Sequence, residues 1–196
     1  MNKILNKIRN IPFLFRRPNA VIILGNDRET VFQLISRILK KYPKVDKGVY
    51  LAKSDFSDEQ SYRQIRFWMK NSRSLVVIIT SLEKNEEMEK LKETLKDLPA
   101  QSYLVFNKDV VDIQNLEEAK GKNILTFGFQ ENAAIFATDV KTEEGINFKV
   151  NHKGNSVPFW LEGFLVQEKL SSALAAIGCS LLLGLNLVEI SRAMKQ

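Results

Sequence analysis

The sequence predicts an α/β fold of three layers, with a mainly parallel sheet, a small antiparallel extension and helices near its C-terminal end. Three observations predict this class. Short apolar segments alternate with segments of helical periodicity up to about residue 106. The segments 20–24 and 75–80 are uncharged and rich in β-branched residues, as strands buried on both faces are. After Gly121 the pattern changes to short strands separated by turns. Strands that alternate with helices indicate βαβ units and hence a parallel sheet covered on both faces.

The first half of the chain supplies the parallel units. Strands are predicted at residues 20–24, 49–52, 75–80 and 103–106, and helices at residues 30–41, 58–71 and 84–98. The segment 75–80 is the clearest buried strand because it is β-branched and carries no charge. The helix at 84–98 places Met88, Leu91 and Leu95 on one face, and Pro99 ends it.

The second half predicts a different arrangement. Segments 124–127, 134–140, 146–150 and 157–160 are short and separated by turns rich in Gly, Asn and Lys, which is typical of an antiparallel addition. Two helices follow, the second at 187–194. Residues 170–188 contain no charged residue, so a membrane span is considered. Gly184 is expected to stop the first helix, which leaves it too short to cross a bilayer and favours a buried core helix.

Composition excludes several classes of function. The chain of 196 residues is 44% hydrophobic and 27% charged, which suits a globular domain. Cys179 is the single cysteine and His152 the single histidine. A disulfide framework and a multi-cysteine metal site are therefore excluded, and Ser-His or Cys-His catalysis is nearly so. This inventory favours a reducing compartment and predicts a cytoplasmic location.

The basic charge of the protein is concentrated at its start. The net charge is +6, yet five of the 29 basic residues precede the first acidic residue, Asp27, and leave 24 against 23 acidic ones. These five are Lys3, Lys7, Arg9, Arg16 and Arg17. The nearly neutral body argues against a nucleic-acid groove. We therefore divide the chain into a basic amphipathic tail, residues 1–18, and one domain, residues 19–196.

Two interpretations of the tail remain open. Ile4, Leu5 and Ile8 fall near helical spacing with basic residues between them. This apolar face packs on the domain in the first interpretation. In the second, residues 1–17 lie on an anionic membrane surface, at the inner face of the membrane. A helix this short binds lipid weakly without a second anchor, which favours the first.

The strand at 20–24 and the helix after it stand where a fold of the P-loop or Rossmann type carries its phosphate-binding loop. Such a loop needs inward backbone N–H groups, a lysine on the phosphates and a hydroxyl on Mg²⁺. Only Gly25 and Thr30 fit this pattern. Arg28 stands in place of a second glycine, and Glu29 in place of the lysine, which reverses the sign of its interaction with phosphate. An ordinary strand-to-helix turn is the alternative.

Several later motifs resemble those of the Mur ligase family. LVFNKD at 104–109 and NILTFG at 123–128 are similar to the segment from the family's N-x-D-D motif to its T-F-G turn. SALAAIGCSLLLGLNLVEI at 172–190 is similar to its N-A-L-A-A helix, glycine stop and L-x-E-I helix. Within the family, the likeness is greatest to the UDP-N-acetylmuramoyl-tripeptide–D-alanyl-D-alanine ligase type. It covers residues 18–195 and the family's central, ATP-binding domain only, so we interpret the chain as truncated and degenerate.

The resemblance implies chemistry that this chain retains only in part. Mur ligases form an acyl phosphate from a carboxylate and ATP, and an amine then displaces phosphate. The family's site maps onto a vestigial nucleotide site, with ATP and Mg²⁺ as cofactors only if it is retained. Its residues are Gly25, Asn26, Asp27, Arg28, Thr30, Asn107 and Asp109. No catalytic or metal-binding residue is assigned. Ser81 replaces the usual asparagine, and no histidine occupies the metal-binding position.

Other family positions are altered or loosely aligned. Glu168, Lys169 and Ser172 stand near the adenine-facing histidine–asparagine pair, and Lys90 near the carbamylated lysine. Each survivor also has an ordinary interpretation. Asn107 and Asp109 shape a turn, and Thr30 caps its helix.

Three hypotheses of function follow. The preferred one is a catalytically degenerate Mur-ligase-like domain, a binding or scaffold module linked to peptidoglycan precursor synthesis, whose partner is another protein or an intact cell-wall ligase. The second is a fragment of an ATP-dependent acid–amino acid ligase, completed by domains from another chain. Arg28 then replaces the lysine, and Asp27, Glu29 or Asp109 holds Mg²⁺. The third is a peripheral membrane module led by the basic tail.

Overall fold

Eight strands form one sheet in a computed structural model that describes residues 17–55, 59–81, 85–110, 117–119, 121–143, 145–162 and 167–195. The strands are β1 (Asn19–Leu24), β2 (Val49–Lys53), β3 (Ser74–Ile79), β4 (Tyr103–Asn107), β5 (Asn123–Gly128), β6 (Ile135–Lys141), β7 (Ile146–His152) and β8 (Asn155–Leu161). Their order across the sheet is β2-β1-β3-β4-β5-β6-β7-β8. β1 to β6 are mutually parallel, β7 runs antiparallel to β6, and β8 runs antiparallel to β7. The predicted fold class is therefore confirmed.

The helices lie close to their predicted positions. They are α1 (Arg28–Lys40), α2 (Pro43–Asp46), α3 (Glu59–Asn71), α4 (Asn85–Lys96), α5 (Gln167–Leu182) and α6 (Leu187–Met194), with a 3-10 turn at Glu117–Ala119. The sequence analysis did not predict the single-turn α2, and it placed the start of α1 two residues late. Residues 1–16, most of the predicted tail, lie outside the described residues, so the division at residue 18 stays a prediction.

One prediction about strand direction is wrong. Residues 124–127 are predicted in the antiparallel addition, yet β5 pairs in parallel with both of its neighbours, β4 and β6. The prediction for residues 134–140 is confirmed in part, because β6 pairs in parallel with β5 over two residue pairs but antiparallel with β7 along more of its length. Only six residues join β5 to β6. Parallel strands that lie fully side by side need a longer crossover. Here Phe127 faces Ile135 and Gly128 faces Phe136, so β6 begins where β5 ends and the two strands overlap by only these pairs.

The two faces of the sheet carry separate cores, because successive side chains of a strand point to opposite faces. Val21, Ile23 and Val76 face the layer that contains α1, α5 and α6. Ile22 and Val77 face the layer that contains α3 and α4. All five are buried. This division produces the predicted three layers and explains the uncharged, β-branched strands.

Helix α5 is the buried core helix that the sequence predicted. A Cβ atom at Gly178 would lie 3.3 Å from Cδ1 of Ile135, so the helix backbone approaches the sheet closely at this point. Gly184 ends the segment with φ +95°, and Leu185 N donates to Ser180 O at 3.1 Å. Among the described residues, no helix is both long and apolar enough to span a bilayer.

Candidate functional site

The candidate site lies at the carboxyl ends of the parallel strands. The chain passes from β1 to β2 on one side and then returns to β3 on the other, so the order of strands reverses between β1 and β3. Open α/β sheets bind ligands in the crevice outside such a switch point. The segments that meet here begin at Gly25 after β1, Ser54 after β2 and Thr80 after β3.

The loop after β1 is folded onto the segment after β3. Gly25 has φ +104°, and a Cβ atom on it would lie 2.5 Å from both Ser81 O and Thr80 Oγ1. Asn26 N donates to Ser81 O at 3.3 Å, and Asp27 N donates to Thr80 Oγ1 at 3.4 Å. Thr80 Oγ1 in turn donates to Leu24 O at 3.2 Å. The backbone N–H groups of Asn26 and Asp27 therefore donate hydrogen bonds to other parts of the protein.

Helix α1 begins directly after this loop. Asp27 is its N-cap residue and makes no side-chain capping bond. Thr30 is the third residue of the helix, so the interpretation of Thr30 as the cap is wrong. The misplacement follows from the start of the helix at Arg28, which the apolar periodicity alone, beginning at Val31, did not mark.

The side chains of the first helical turn are paired with the end of β2. Arg28 Nη1 donates to Gly25 O at 2.9 Å, and Arg28 Nη2 donates to Asp55 Oδ2 at 2.8 Å. The side chains of Arg28 and Asp55 are 33% and 30% exposed. Glu29 pairs with Lys53, whose ammonium also lies 5.0 Å from the ring centroid of Phe32. The Arg28 guanidinium is thus bonded to two groups of the protein, Gly25 O and the Asp55 carboxylate.

The charges around the loop sum to a net negative value. Asp27, Glu29 and Asp55 contribute three carboxylates, and Arg28 and Lys53 contribute two cations. A triphosphate carries several negative charges and is bound in proteins by lysine, arginine and free backbone N–H groups. Around this loop the described carboxylates outnumber the cations. Each of the two cations is also paired with a carboxylate, Arg28 with Asp55 and Lys53 with Glu29.

Asn107 and Asp109 form a second cluster after β4. Asn107 is 5% exposed, and its Nδ2 donates to Ser171 Oγ on α5 at 2.8 Å. Asp109 N donates to Asn107 Oδ1 at 3.0 Å, and Asp109 Oδ2 accepts from Phe129 N at 2.8 Å. A Cβ atom on Gly128 would lie 2.7 Å from Asp109 Oδ2. Both polar side chains therefore hold the turns after β4 and β5 together.

The two clusters share one edge of the sheet. Leu24, Ile79 and Phe106 are in register across β1, β3 and β4, so the three strands end at one level. β1 and β4 are two strand spacings apart, which is roughly 10 Å. The structure thus brings Gly25, Asn26, Asp27 and Arg28 together with Thr80, Ser81 and Asp55, whereas Asn107 and Asp109 meet Ser171 and Phe129.

The other family positions lie outside these two clusters. Lys90 lies on α4, where its carbonyl accepts from Thr94 Oγ1 at 2.7 Å. Lys169 is exposed at the start of α5, and Ser172 is buried with no hydrogen-bond partner for its Oγ among the described residues. The Glu168 side chain lies outside the described residues. His152 ends β7 rather than lying in a turn, and its Nδ1 is 2.8 Å from Ala134 O.

Four residues of these clusters were not predicted: Lys53, Asp55, Thr80 and Ser171. The first three could have been predicted from their position, because each stands at or shortly after the carboxyl end of a predicted parallel strand, where such sheets bind ligands. The described residues contain no group of three or more His, Cys, Asp or Glu side chains arranged to hold a metal ion.

Replacing Thr80 by valine is expected to lower the free energy of unfolding by about 1–2 kcal/mol, because the Asp27 N–H loses its acceptor in a site that is 4% exposed at Thr80. Urea unfolding followed by circular dichroism measures the change. Thr80→Ser keeps the hydroxyl and is expected to retain most of that stability. A loss in Thr80→Ser as large as that in Thr80→Val would contradict this explanation, because Thr80→Ser keeps the hydroxyl that accepts from Asp27 N.

Known structures share this fold. No protein-family model and no curated protein sequence matches the chain. Among solved structures, a crystal structure of MurF from Acinetobacter baumannii superposes with a TM-score of 0.77 at 16% identity, over 98% of this chain and 49% of that one. The MurF ligase of Thermotoga maritima, in complex with ADP, superposes with a TM-score of 0.72 at 16% identity, over 96% of this chain and 51% of that one.

The likeness extends to an archaeal protein. A pseudomurein peptide ligase type C from Methanothermus fervidus superposes with a TM-score of 0.68 at 15% identity, over 95% of this chain and 51% of that chain. At these identities the likeness concerns the fold. The chain spans about half the length of these three structures, and over that half it has a Mur-ligase-like fold.

Proposed function

We propose that this chain is a catalytically degenerate Mur-ligase-like domain that serves as a binding or scaffold module linked to peptidoglycan precursor synthesis. The observation that carries the proposal is the state of the loop after β1. The backbone N–H groups of Asn26 and Asp27 donate to Ser81 and Thr80. A phosphate-binding loop instead directs such groups at its ligand.

The charges of the loop support the same proposal. Glu29 stands where the phosphate-binding lysine is expected, and it is paired with the Lys53 ammonium. Arg28 is the other cation described at the loop, and it bridges Gly25 O and Asp55. A phosphate bound through the remaining N–H groups of Arg28 would lie beside the Asp55 carboxylate, which repels an anion. The residues present therefore do not fit MgATP.

A second candidate function is a ligase fragment completed by domains of another chain. One observation favours it. The backbone N–H groups of Arg28, Glu29 and Thr30 in the first turn of α1 have no acceptor among the described residues, and a helix N-terminus attracts anions. Asp109 supports it less well as a Mg²⁺ ligand, since one of its oxygens already accepts from Phe129 N.

Calorimetric titration with MgATP and MgADP tests the proposal. We expect no measurable heat and no thermal stabilisation at nucleotide concentrations of about 1 mM, where a ligand with a Kd of about 100 μM would stabilise the fold by roughly 1.4 kcal/mol. A Kd below about 100 μM, or release of ADP when carboxylate and amine substrates are present, would overturn it. An intact MurF-type ligase treated in parallel shows that the assay detects binding.

Arg28→Ala distinguishes the two candidate functions. The ligase hypothesis requires this variant to lose nucleotide binding. The degenerate-domain hypothesis expects only the loss of a partly exposed ion pair and one hydrogen bond, worth about 1 kcal/mol of stability. Arg63→Ala, which removes an exposed pair with Glu59 and touches no residue of the loop after β1, is the matched control.

The proposed partner is another protein or an intact cell-wall ligase, and the proposed location is the cytoplasm. This part of the proposal rests on the fold likeness. Size-exclusion chromatography of the purified chain mixed with a MurF-type ligase tests it. A shift of both proteins to one earlier peak supports a scaffold role, and separate elution at concentrations of about 50 μM excludes an affinity tighter than that.

A further inference from the structure

The opposite edge of the sheet, at the amino ends of the strands, carries an exposed group of cations. Arg17, Lys44, Lys47 and Arg73 are all exposed. Arg17 precedes β1, Lys44 lies on α2, Lys47 precedes β2 and Arg73 precedes β3. Four cations from three segments of the chain therefore lie at one edge, which we call the basic edge surface.

Two adjoining depressions shape this surface. The first, of about 400 Å³, is lined by Arg17, Lys47 and Arg73 together with Pro18 and Tyr50. The second, of about 350 Å³, is lined by Lys44 and by the starts of β1, β2, β3 and β4. Asn19, Gly48 and Val49 line both depressions, so the two form one continuous surface.

The four cations are not neutralised within the described part of the chain. None of them forms an ion pair there, whereas the nearby carboxylates at the ends of α4 and the 3-10 turn are taken by Arg66 and Lys96. Asp46 on α2 is the acidic residue closest in sequence, and it lines neither depression. Helix C-termini attract basic residues, which accounts for Lys40 and Lys70 in last turns and also favours Lys44 and Lys47, in the last turn and at the C-cap of the single-turn α2. Arg17 and Arg73 lie outside the helices.

Apolar groups stand beside these cations. Tyr103 at the start of β4 is 38% exposed and lines the second depression. Leu182 and Leu183, at and just after the end of α5, line it as well and are half-buried. Cations next to an exposed tyrosine and leucines suit the headgroup region of a bilayer, where phosphates meet the ends of acyl chains.

The basic tail joins the body at this surface. Arg17 lines the first depression, so residues 1–16 are attached at its rim. They include Lys3, Lys7, Arg9 and Arg16 among isoleucines, leucines and phenylalanines. A short amphipathic segment binds a membrane weakly alone, and stable binding takes a second signal. The basic edge surface supplies that signal next to the segment.

We propose that the basic edge surface binds an anionic lipid bilayer, with the carboxyl ends of the strands turned to the aqueous side. A bilayer fits better than a nucleic acid for two reasons. Tyr103, Leu182 and Leu183 add apolar surface that phosphate contacts do not use. Outside the tail 24 basic residues face 23 acidic ones, whereas a nucleic-acid-binding domain carries a marked excess of basic residues.

Sedimentation of the full chain with lipid vesicles tests the proposal. We expect binding to vesicles that contain about 30% phosphatidylserine in phosphatidylcholine, little binding to phosphatidylcholine alone, and weakening as salt rises from about 0.1 M to 0.5 M. Each cation near an anionic surface contributes about fivefold to the partition coefficient. The triple variant Lys44→Gln, Lys47→Gln, Arg73→Gln is therefore expected to bind on the order of 100-fold more weakly.

A matched variant separates local from overall charge. Lys141→Gln, Lys153→Gln, Lys195→Gln removes the same three charges from exposed positions on β6, on the β7–β8 turn and after α6, and is expected to lose less than about threefold. Thermal unfolding confirms that both variants are folded. Equal losses in the two variants, or no loss in the first, would overturn the proposal. So would tighter binding of a 30-nucleotide single-stranded RNA than of the vesicles, if the first variant abolished it.

Discussion

Replacing Trp68 by alanine is expected to lower the free energy of unfolding by about 3–5 kcal/mol, as truncation of large buried aromatic side chains does. Trp68 lies on α3, is 2% exposed and packs with the core between α3, α4 and the sheet. Its ring centroid lies 5.7 Å from that of Tyr50 on β2. The change removes the largest side chain of this layer, and its surroundings on the sheet cannot collapse to fill the space.

The same helix provides the control for this experiment. Arg63 is exposed on α3, and its only described partner is Glu59 one turn away. Arg63→Ala is expected to change the free energy of unfolding by less than about 0.5 kcal/mol. Urea denaturation monitored by circular dichroism measures both variants. A loss below about 1 kcal/mol for Trp68→Ala would show that α3 does not form a tight layer over β1, β2 and β3, whose ends make the candidate site.

Most of the fold could be predicted because its elements carry strong local patterns. The strands β1 and β3 are uncharged and contain consecutive β-branched residues, at 21–23 and 76–79, and α1 and α4 have one apolar face each. These patterns follow directly from burial. The helix α2 could not be predicted from such a pattern. It is a single turn with no buried residue, so its sequence has no apolar periodicity.

Strand direction could not be read from the same patterns. Short strands such as β5 carry no long apolar run, so only the length of the connection was available to predict their direction. The connection between β5 and β6 is short and therefore misleading, since these strands overlap by just two residue pairs. The motif NILTFG at β5 is one of those that resemble the Mur ligase family, yet its residues do not specify the direction of the strand.

Several residues of the candidate site could be predicted from the sequence, but the contacts that these residues make could not. The unusual residues Arg28 and Glu29 stand out against the phosphate-loop pattern. Their partners come from elsewhere in the chain: Asp55 is 27 residues from Arg28, and Thr80 is 53 residues from Asp27. Pairings over such separations depend on the order of strands in the sheet, which local periodicity does not specify. The hydrogen bonds that hold the loop against the end of β3 therefore could not be predicted from the sequence.

Gly25→Ala is expected to lower the free energy of unfolding by about 3 kcal/mol, the second large effect. Two causes add. The backbone at Gly25 has φ +104°, where a residue with a Cβ atom is strained by about 1–2 kcal/mol. The new Cβ would also lie 2.5 Å from Ser81 O and from Thr80 Oγ1, so the loop must move away from the end of β3. Thermal and urea unfolding measure the loss.

Gly154→Ala separates the two causes. Gly154 lies in the turn between β7 and β8 with φ +77°, and a Cβ atom there would meet nothing within 4 Å. We expect this variant to lose only about 1–2 kcal/mol, the cost of the backbone conformation. A clearly larger loss at Gly25 would show that contact with Thr80 and Ser81 holds the loop. Equal losses would mean that the loop can move off β3 at little cost. Its N–H groups would then be available to an anion, and the ligase hypothesis would gain the open loop that it requires.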